Sequence, residues 1–258
     1  MIKLENVELN IKQQSILKKI SLQLDAGKLY CIIGANGAGK SSLLDVINRE
    51  QKLTRGNIEL FGKLLEQWDF ETLAQMMATL PQQSYLNFPF RVEEVIELGR
   101  MPHSTSNEQN RAIVIELMKQ LDIQHLAKRP YPELSGGEQQ RVQLARVLSQ
   151  VWQPKDGKAE QAILLLDEPS NSLDIQHQHQ LLKQLRHWIK PSTLGLVVLH
   201  DFALVSRYAD HVIALKDGEI YTQGTVESVL TANNLKNIFN IDCEVLKHPI
   251  NGRPIVAV

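Results

Sequence analysis

Gly34-Ala-Asn-Gly-Ala-Gly-Lys-Ser41 fits the pattern G-x-x-x-x-G-K-[ST], in which a glycine-rich loop wraps around nucleotide phosphates. An apolar run of strand length, Leu29–Ile33, precedes the loop, and the helical pattern SSLLDVIN follows it. The alternative is a glycine-rich turn without function, but the order of strand, loop and helix favours a binding site. The sequence therefore predicts that the chain binds a nucleoside triphosphate.

This loop offers both backbone and side-chain groups to phosphate. Its glycines allow several N–H groups to point inward, and the helix that starts near Lys40 adds its positive N-terminal end. We expect the Lys40 amine to reach the β- and γ-phosphates and the Ser41 hydroxyl to bind Mg²⁺. The predicted phosphate-binding residues are Gly34, Ala35, Asn36, Gly37, Ala38, Gly39, Lys40, Ser41 and Ser42.

A second apolar run, residues 162–166, ends in two adjacent acids, Asp167 and Glu168. A strand this apolar has no structural need for carboxylates at its end. We expect Asp167 to hold Mg²⁺ and Glu168 to polarise the attacking water as a general base, an effect typically worth ~10²–10⁴ in rate. The alternative is a pair of solvated acids in a turn.

The surrounding pattern indicates an α/β fold. The apolar runs do not alternate with polar residues, which is typical of strands covered on both faces in a mostly parallel sheet. Residues 2–9 and 15–24 do alternate, and they predict an N-terminal antiparallel β subdomain. A β-hairpin with its turn at Asp217-Gly218 is predicted near the end of the chain.

Helical spacing of apolar residues is concentrated in the middle of the chain, at residues 92–100, 108–121 and 137–151. We therefore predict a P-loop NTPase core with an inserted α-helical subdomain. The predicted core covers about residues 1–84 and 152–258, and the predicted insertion covers about residues 85–151.

Composition limits the partners. The net charge is −1, with 28 basic and 29 acidic residues, so no general electrostatic attraction to nucleic acid or anionic lipid is expected. No apolar run approaches the ~20 residues that cross a bilayer, and the first residues do not follow a signal-peptide pattern. Cys31 and Cys243 predict neither a disulfide framework nor a zinc site. If the protein serves a membrane, we expect it to dock onto a separate membrane partner.

Another segment directed at phosphate is Leu134-Ser-Gly-Gly-Glu-Gln-Gln-Arg141, which begins with a good helix N-cap and two glycines. By itself the segment could equally be an ordinary capped helix. It resembles the signature of the ABC ATPases, LSGGQ or a close relative, and the resemblance covers nearly the whole chain. In that family the signature of one subunit closes over the nucleotide of another, which implies a head-to-tail homodimer with two shared ATP sites. The positions that would contact ATP in this way are Ser135, Gly136, Gly137 and Glu138.

Three further positions match this family in the expected order. Gln82 matches the glutamine loop, which reaches Mg²⁺ and the attacking water and senses the membrane partner; the adjacent Gln83 is the alternative. The segment that ends at Asp174 resembles the loop through which the two subunits contact each other near the phosphates. His200 matches the switch histidine at the γ-phosphate, with a structural histidine as the alternative.

One position departs from the family pattern. Many ABC ATPases carry an aromatic residue near the start of the chain that stacks on adenine, and Ile11 occupies that place here. Aliphatic packing on the base is less geometrically specific than aromatic stacking. His177 and His179 point to different faces of a predicted helix, so a paired metal site is not expected there.

The resemblance favours an importer subunit, because no membrane span, second cassette or long coiled-coil insertion occurs in the sequence. Residues 84–92 are unusually apolar for a loop; we predict that they line a groove for a coupling helix of the permease, the alternative being core of the helical subdomain. The implied partners are a second copy, two copies of a transmembrane permease and, indirectly, a periplasmic substrate-binding protein, with no nucleic acid. The implied location is peripheral, at the cytoplasmic face of the inner (plasma) membrane.

Within the family the chain is similar to the ATPases of the iron-siderophore, cobalamin and haem importers, and most similar to the hemin-import ATP-binding proteins. The likeness is carried by residues 88–103, the loop that contains Trp152, and residues 245–254. It implies hydrolysis of ATP, with Mg²⁺, to power hemin import; a ferric siderophore or cobalamin is the alternative cargo. Alternatives of other classes are a soluble ABC ATPase acting on nucleic acid or ribosomes, and a regulatory module without hydrolysis.

Overall fold

The computed structural model describes residues 1–82, 86, 88–152, 161–171 and 173–258, and the chain divides into two compact units. The first unit comprises Met1–Trp68 and Ile189–Val258, and the second is the continuous segment Asp69–Trp188. The predicted helical insertion falls within the second unit along the sequence. Its boundaries, and those of the predicted core, stay a prediction.

Strands and helices follow one another along the chain. The strands are β1 (Ile2–Ile11), β2 (Gln14–Leu24), β3 (Leu29–Ile33), β4 (Arg55–Leu60), β5 (Lys63–Leu64), β6 (Met77–Leu80), β7 (Ala162–Asp167), β8 (Thr193–Val198), β9 (His211–Lys216), β10 (Glu219–Thr225), β11 (Glu244–Lys247) and β12 (Pro254–Ala257). The α-helices are α1 (Lys40–Ile47), α2 (Phe70–Met76), α3 (Val92–Glu97), α4 (Asn107–Gln120), α5 (Gly136–Val151), α6 (Ile175–Trp188), α7 (Phe202–Tyr208), α8 (Val226–Val229) and α9 (Ala232–Phe239).

The first unit contains an antiparallel sheet with the strand order β2-β1-β4-β5. Leu4 of β1 lies opposite Leu22 of β2 and Ile58 of β4, and all three side chains are buried. Side chains alternate between the two faces of a strand, so the alternating sequence buries one face. The antiparallel β subdomain predicted from this alternation is confirmed.

The same unit contains parallel strands around β3. Both β8 and β9 pair with β3 in parallel, and β10 returns antiparallel to β9. All residues of β3 and β8 are buried, as their unbroken apolar runs predict. The turn between β9 and β10 is Asp217-Gly218, with φ of 51° and 83°. Positive φ at both positions matches the right-handed twist of a hairpin, and the predicted hairpin is confirmed.

In the second unit β6 and β7 pair in parallel, with Leu80 opposite Leu166. The predicted helix over 92–100 is shorter than expected, because α3 ends at Glu97 and a 3-10 turn follows. In that turn Gly99 lies against α5, where a Cβ would be 2.2 Å from the carbonyl oxygen of Arg146. The tighter turn therefore allows the chain to pack closely on α5.

The C-terminal end of α5 is held by Arg100, whose side chain is 2 % exposed. Its guanidinium donates hydrogen bonds of 2.6 Å to the carbonyl oxygens of Ser149 and Trp152. A cation is favourable at a helix C-terminus, where carbonyl groups lack intrahelical partners. Burial lowers the pKa of Arg100 to about 10, which leaves it charged at neutral pH. Among the described residues, no helix combines the length and apolar character required to cross a membrane.

Candidate functional site

The phosphate loop connects β3 to α1 in the first unit. Gly39 has a φ of 96°, and a Cβ there would lie 2.9 Å from Leu17 Cδ2 and 3.1 Å from the Ile16 carbonyl oxygen. A Cβ on Gly34 would lie only 2.4 Å from the carbonyl oxygen of Leu215. At Gly34 and Gly39 the loop backbone therefore lies closer to its neighbours than a residue with a side chain allows.

Lys40 is the first residue of α1, and its side chain is 6 % exposed. The Lys40 amine donates hydrogen bonds to the carbonyl oxygens of Gly34, at 2.9 Å, and Ala35, at 3.0 Å. The amine thus lies across the loop, where the sequence predicts phosphate binding. Ser41, the predicted Mg²⁺ ligand, is exposed. The remaining loop residues divide into exposed Ala35, Asn36 and Gly37, buried Ala38 and Gly39, and partly buried Ser42.

His200 extends from the same edge of the sheet as the phosphate loop. It follows β8, which is parallel to β3 and places Val198 opposite Ile32. The Leu199 N–H donates to the Ile32 carbonyl oxygen at 3.2 Å, so the two chains stay side by side up to the loop. Ligands of α/β sheets bind beyond the carboxyl ends of such strands. Ile11, at the end of β1 in this unit, is 41 % exposed.

The second unit carries the acidic strand end. Asp167 is the last residue of β7 and is 7 % exposed, and Glu168 follows it directly. Gln82 follows β6, the parallel partner of β7, and its amide nitrogen donates to Glu168 Oε2 at 2.7 Å. The pairing of these strands therefore brings Gln82, Asp167 and Glu168 to one edge. Gln83, the alternative to Gln82, lies outside the described residues.

Glu168 has an unusual backbone, with a φ of 49° that is uncommon for a residue with a side chain. The amide of Asn171 also donates to Glu168 Oε2. The next peptide group is held as well, because the Gln140 amide donates to the Pro169 carbonyl oxygen at 2.8 Å. From the sequence, the segment around Asn171 was expected to contact the other subunit, and this hydrogen bond was not predicted. An amide three residues after Glu168, in a strand-to-helix connection, was the available signal.

The signature segment forms the N-terminus of α5. The Ser135 hydroxyl accepts from the Glu138 N–H at 3.4 Å, while Glu138 Oε2 accepts from the Ser135 N–H at 2.8 Å. This reciprocal capping box confirms Ser135 as the N-cap. The pKa of the Glu138 carboxyl is lowered, chiefly by the hydrogen bond from the Ser135 backbone. Gly136 is exposed and Gly137 partly so; a Cβ on Gly137 would lie 3.3 Å from Leu173 Cδ2.

Asp174 precedes α6 and forms hydrogen bonds with the first turn of this helix. Its Oδ1 accepts from the His177 N–H at 2.9 Å, and its Oδ2 lies 2.8 Å from His177 Nδ1. The hydrogen bond from the His177 backbone is the main reason that the pKa of Asp174 is lowered. Asp174 and His177 therefore form a local pair at this helix end.

Two aromatic residues of the predicted groove are accessible in the second unit. Phe88 is 69 % exposed and Phe90 is 38 % exposed, and their ring centroids are 6.1 Å apart. Phe88 therefore does not belong to the core of this unit. Within the apolar segment, Ser84, Tyr85 and Asn87 lie outside the described residues.

The family model described as ABC transporter matches residues 17–171, which include the phosphate loop, Gln82, the signature and the acidic strand end. The chain belongs to the ABC transporter family. As a member of this family, the ABC protein binds ATP and couples ATP hydrolysis to transport. The regulatory module without hydrolysis is therefore excluded as the alternative.

Relatives named hemin import ATP-binding protein HmuV align with this ABC protein from end to end. The protein of Pseudomonas putida is 42 % identical over 99 % of this chain and 99 % of its own length. The protein of Aliivibrio fischeri is 42 % identical over 97 % of this chain and 95 % of its own length. The resemblance to hemin-import ATP-binding proteins is confirmed.

Solved structures confirm the fold class of this ABC protein. A metal-chelate type ABC transporter in an inward-facing conformation matches with a TM-score of 0.81 at 22 % identity, over 99 % of this chain and 95 % of that one. The dimeric cassette MJ0796, bound to ADP and phosphate, matches with a TM-score of 0.74 at 26 % identity. The match covers 87 % of this chain and 98 % of that one. CbiO1 of Clostridium perfringens, part of an ABC transporter complex, matches with a TM-score of 0.74 at 25 % identity. The match covers 93 % of this chain and 94 % of that one. ABC ATPases of this group work as dimers with membrane permease subunits.

Proposed function

We propose that this chain is the ATP-hydrolysing subunit of a hemin importer, in which a homodimer docks onto two copies of a membrane permease. The choice of hemin as cargo is supported by the end-to-end similarity to hemin import ATP-binding proteins, at 42 % identity. The importer would lie in the inner membrane, with this subunit bound at the cytoplasmic face and a periplasmic binding protein delivering hemin to the permease.

In this proposal the phosphate loop binds the β- and γ-phosphates of ATP. Backbone N–H groups at the start of α1 and the Lys40 amine offset the phosphate charge. When ATP binds, the Lys40 amine would release the carbonyl oxygens of Gly34 and Ala35 and donate its hydrogen bonds to phosphate oxygens instead. His200 contacts the γ-phosphate, and Ile11 packs against the adenine base.

The residues proposed for metal binding suit Mg²⁺. Ser41, Gln82 and Asp167 offer hydroxyl, amide and carboxylate oxygens, which are hard ligands. Asp167 is nearly buried at the end of an apolar strand, a position at which a carboxylate favours a cation nearby. When bound, Mg²⁺ neutralises charge on the β- and γ-phosphates.

Glu168 is the proposed general base. Its carboxylate accepts a proton from the attacking water, and the amide of Gln82 holds the carboxylate by its Oε2 atom. Ser135, Gly136, Gly137 and Glu138 of one copy close over the ATP of the other, with Asp174 at the subunit contact. Closure moves the docked permease, and hydrolysis reopens the dimer.

The cargo is tested with the complex purified from native membranes through a tag on this chain. We expect a polytopic permease to co-purify, and we expect hemin-loaded periplasmic binding protein to raise the ATPase rate. A permease whose ATPase responds instead to a ferric siderophore or cobalamin would contradict hemin. Soluble partners or nucleic acid in place of a permease would contradict the importer.

The general base is tested with Glu168→Gln. Because the amide cannot take a proton from water, we expect turnover to fall by about 10²-fold or more while ATP still binds and a closed dimer accumulates. Steady-state ATPase assays and size-exclusion chromatography with ATP measure both effects. Near-normal hydrolysis would refute the assignment of Glu168.

Docking to the permease is tested with Phe88→Asp combined with Phe90→Asp. Charged side chains on this accessible aromatic pair should abolish co-purification of the permease, while the ATPase of the isolated chain is retained. Phe70→Asp is the matched control, because Phe70 is 73 % exposed in the same unit. Permease capture that survives the double change would rule out the groove.

A further inference from the structure

Glu168 is held in a conformation that its neighbours have to maintain. A φ of 49° is unfavourable for a residue with a side chain relative to an ordinary backbone conformation. The turn that follows opposes this cost, since the Asn171 N–H donates to the Glu168 carbonyl oxygen at 3.4 Å. Strained backbone of this kind is frequent where a side chain is aimed at a reaction.

Two side-chain amides meet on one oxygen of this carboxylate. Gln82 Nε2 donates to Oε2 at 2.7 Å, and Asn171 Nδ2 donates to the same atom. Two donors on one oxygen restrict the rotation of the carboxylate plane, so the orientation of the Glu168 side chain is set by these two amides. A general base must lie within hydrogen-bond reach of the water it activates, so this orientation bears directly on the rate.

The two amides differ in what else they have to do. Gln82 is also a proposed ligand of Mg²⁺ and the proposed sensor of the permease, so its side chain would have to contact Mg²⁺ as well as Glu168. Asn171 lies three residues from Glu168 in the same connection to α6, and its backbone and side chain both contact Glu168. Asn171 is therefore able to keep Glu168 oriented when Gln82 turns toward Mg²⁺.

We propose that Asn171 is a positioning residue for Glu168, whose side-chain amide keeps the carboxylate directed at the attacking water throughout turnover. The inference rests on the proposed role of Glu168 as general base. It assigns to Asn171 a function within its own subunit, in addition to the subunit contact expected of its segment.

The first test compares Asn171→Ala and Asn171→Asp with the wild-type chain. Loss of one hydrogen bond to a charged group, worth about 1.5–3 kcal/mol, should lower kcat about 10- to 150-fold in Asn171→Ala and leave the KM for ATP within about twofold. Asn171→Asp should lower kcat further, because its carboxylate cannot donate to Glu168 Oε2 and repels the Glu168 carboxylate. Asn107→Ala, an exposed amide at the start of α4, is the matched control and should keep the wild-type rate.

The second test separates positioning from subunit contact. In the Glu168→Gln background, Asn171→Ala should still form the ATP-dependent dimer seen by size-exclusion chromatography. Loss of that dimer, or an unchanged kcat in the single variants, would overturn the proposal. Wild-type chain that does not hydrolyse ATP would overturn the general base and this inference together, whereas wild-type turnover with a fully active Asn171→Ala would overturn this inference alone.

Discussion

The N-termini of α1 and α5 are both expected to face nucleotide phosphate, but they are built in opposite ways. α1 begins after Gly39, which has no side chain to accept a hydrogen bond from the first turn. α5 begins after Ser135, and its first turn is closed by the reciprocal bonds of Ser135 and Glu138. The N-terminus of α1 therefore has no side-chain cap over its first-turn N–H groups. At the N-terminus of α5, the side chains of Ser135 and Glu138 already accept hydrogen bonds from backbone N–H groups.

The difference suits the two proposed roles. An N-terminus that binds phosphate continuously gains from uncapped N–H groups, because the ligand itself completes their hydrogen bonding. In the proposed mechanism the signature would contact the nucleotide of another copy only in the closed dimer, so its first turn needs hydrogen-bond partners of its own in the open state. We infer that the capping box keeps α5 stable between encounters.

The largest effect is expected for Gly39→Ala at the start of α1. The left-handed backbone costs about 1–2 kcal/mol for a residue with a Cβ, and the contact with Leu17 adds about 1–3 kcal/mol. Chemical denaturation should show a loss of about 2–5 kcal/mol, accompanied by weaker ATP binding. Gly37→Ala is the control, because a Cβ there meets no atom within 4 Å and only the backbone cost of about 1–2 kcal/mol remains. Equal losses in the two variants would argue against a closely packed loop.

A smaller effect on stability, with a distinct effect on activity, is expected for Ser135→Ala. Loss of an N-cap costs about 1 kcal/mol of unfolding free energy. Ser106→Ala removes the same kind of capping box from α4, built by Ser106 and Gln109, and should cost a similar amount. Only Ser135→Ala should also lower the ATPase rate, by about tenfold or more if one hydrogen bond to phosphate is lost. Equal ATPase rates in the two variants would show that Ser135 is a structural cap alone.

The smallest effect is expected for Glu138→Gln, which keeps a capping side chain and removes its charge. Because the pKa of Glu138 is lowered in the folded chain, the carboxylate stabilises the fold above its ordinary pKa and loses that contribution as the pH falls through the lowered value. At neutral pH the variant should be less stable by under about 1 kcal/mol, and the difference from wild type should vanish in acid. Urea unfolding of both chains over a pH series from 7 downward measures this difference. A difference that does not shrink as the pH falls would contradict an electrostatic origin.

Much of the fold followed from patterns along the chain. The unbroken apolar runs predicted buried parallel strands, and Asp217-Gly218 predicted the hairpin, because each pattern reflects a local requirement of the backbone. The division of residues 92–100 into α3 and a 3-10 turn could not be read in the same way. It depends on how closely Gly99 approaches α5, which is a contact between segments distant in sequence.

The candidate site divides along the same line. Residue types and their spacing were enough to nominate Lys40, Glu168 and Ser135, because phosphate binding, proton abstraction and helix capping each require particular groups at particular offsets. The hydrogen bonds of Arg100 to the end of α5 were not predictable, since an arginine in sequence is most often a solvated surface residue.

By itself, the sequence of this protein determined its buried strands and N-terminal antiparallel strands, its membership of the ABC transporter family and the chemical groups available for ATP hydrolysis. Only the tertiary structure decided which of those groups meet. The parallel pairing of β6 with β7 places Gln82 beside Glu168, 86 residues away along the chain. The left-handed turn after β7 adds Asn171 to the same oxygen. Such meetings arise from strand register and backbone conformation, which no spacing of residue types specifies.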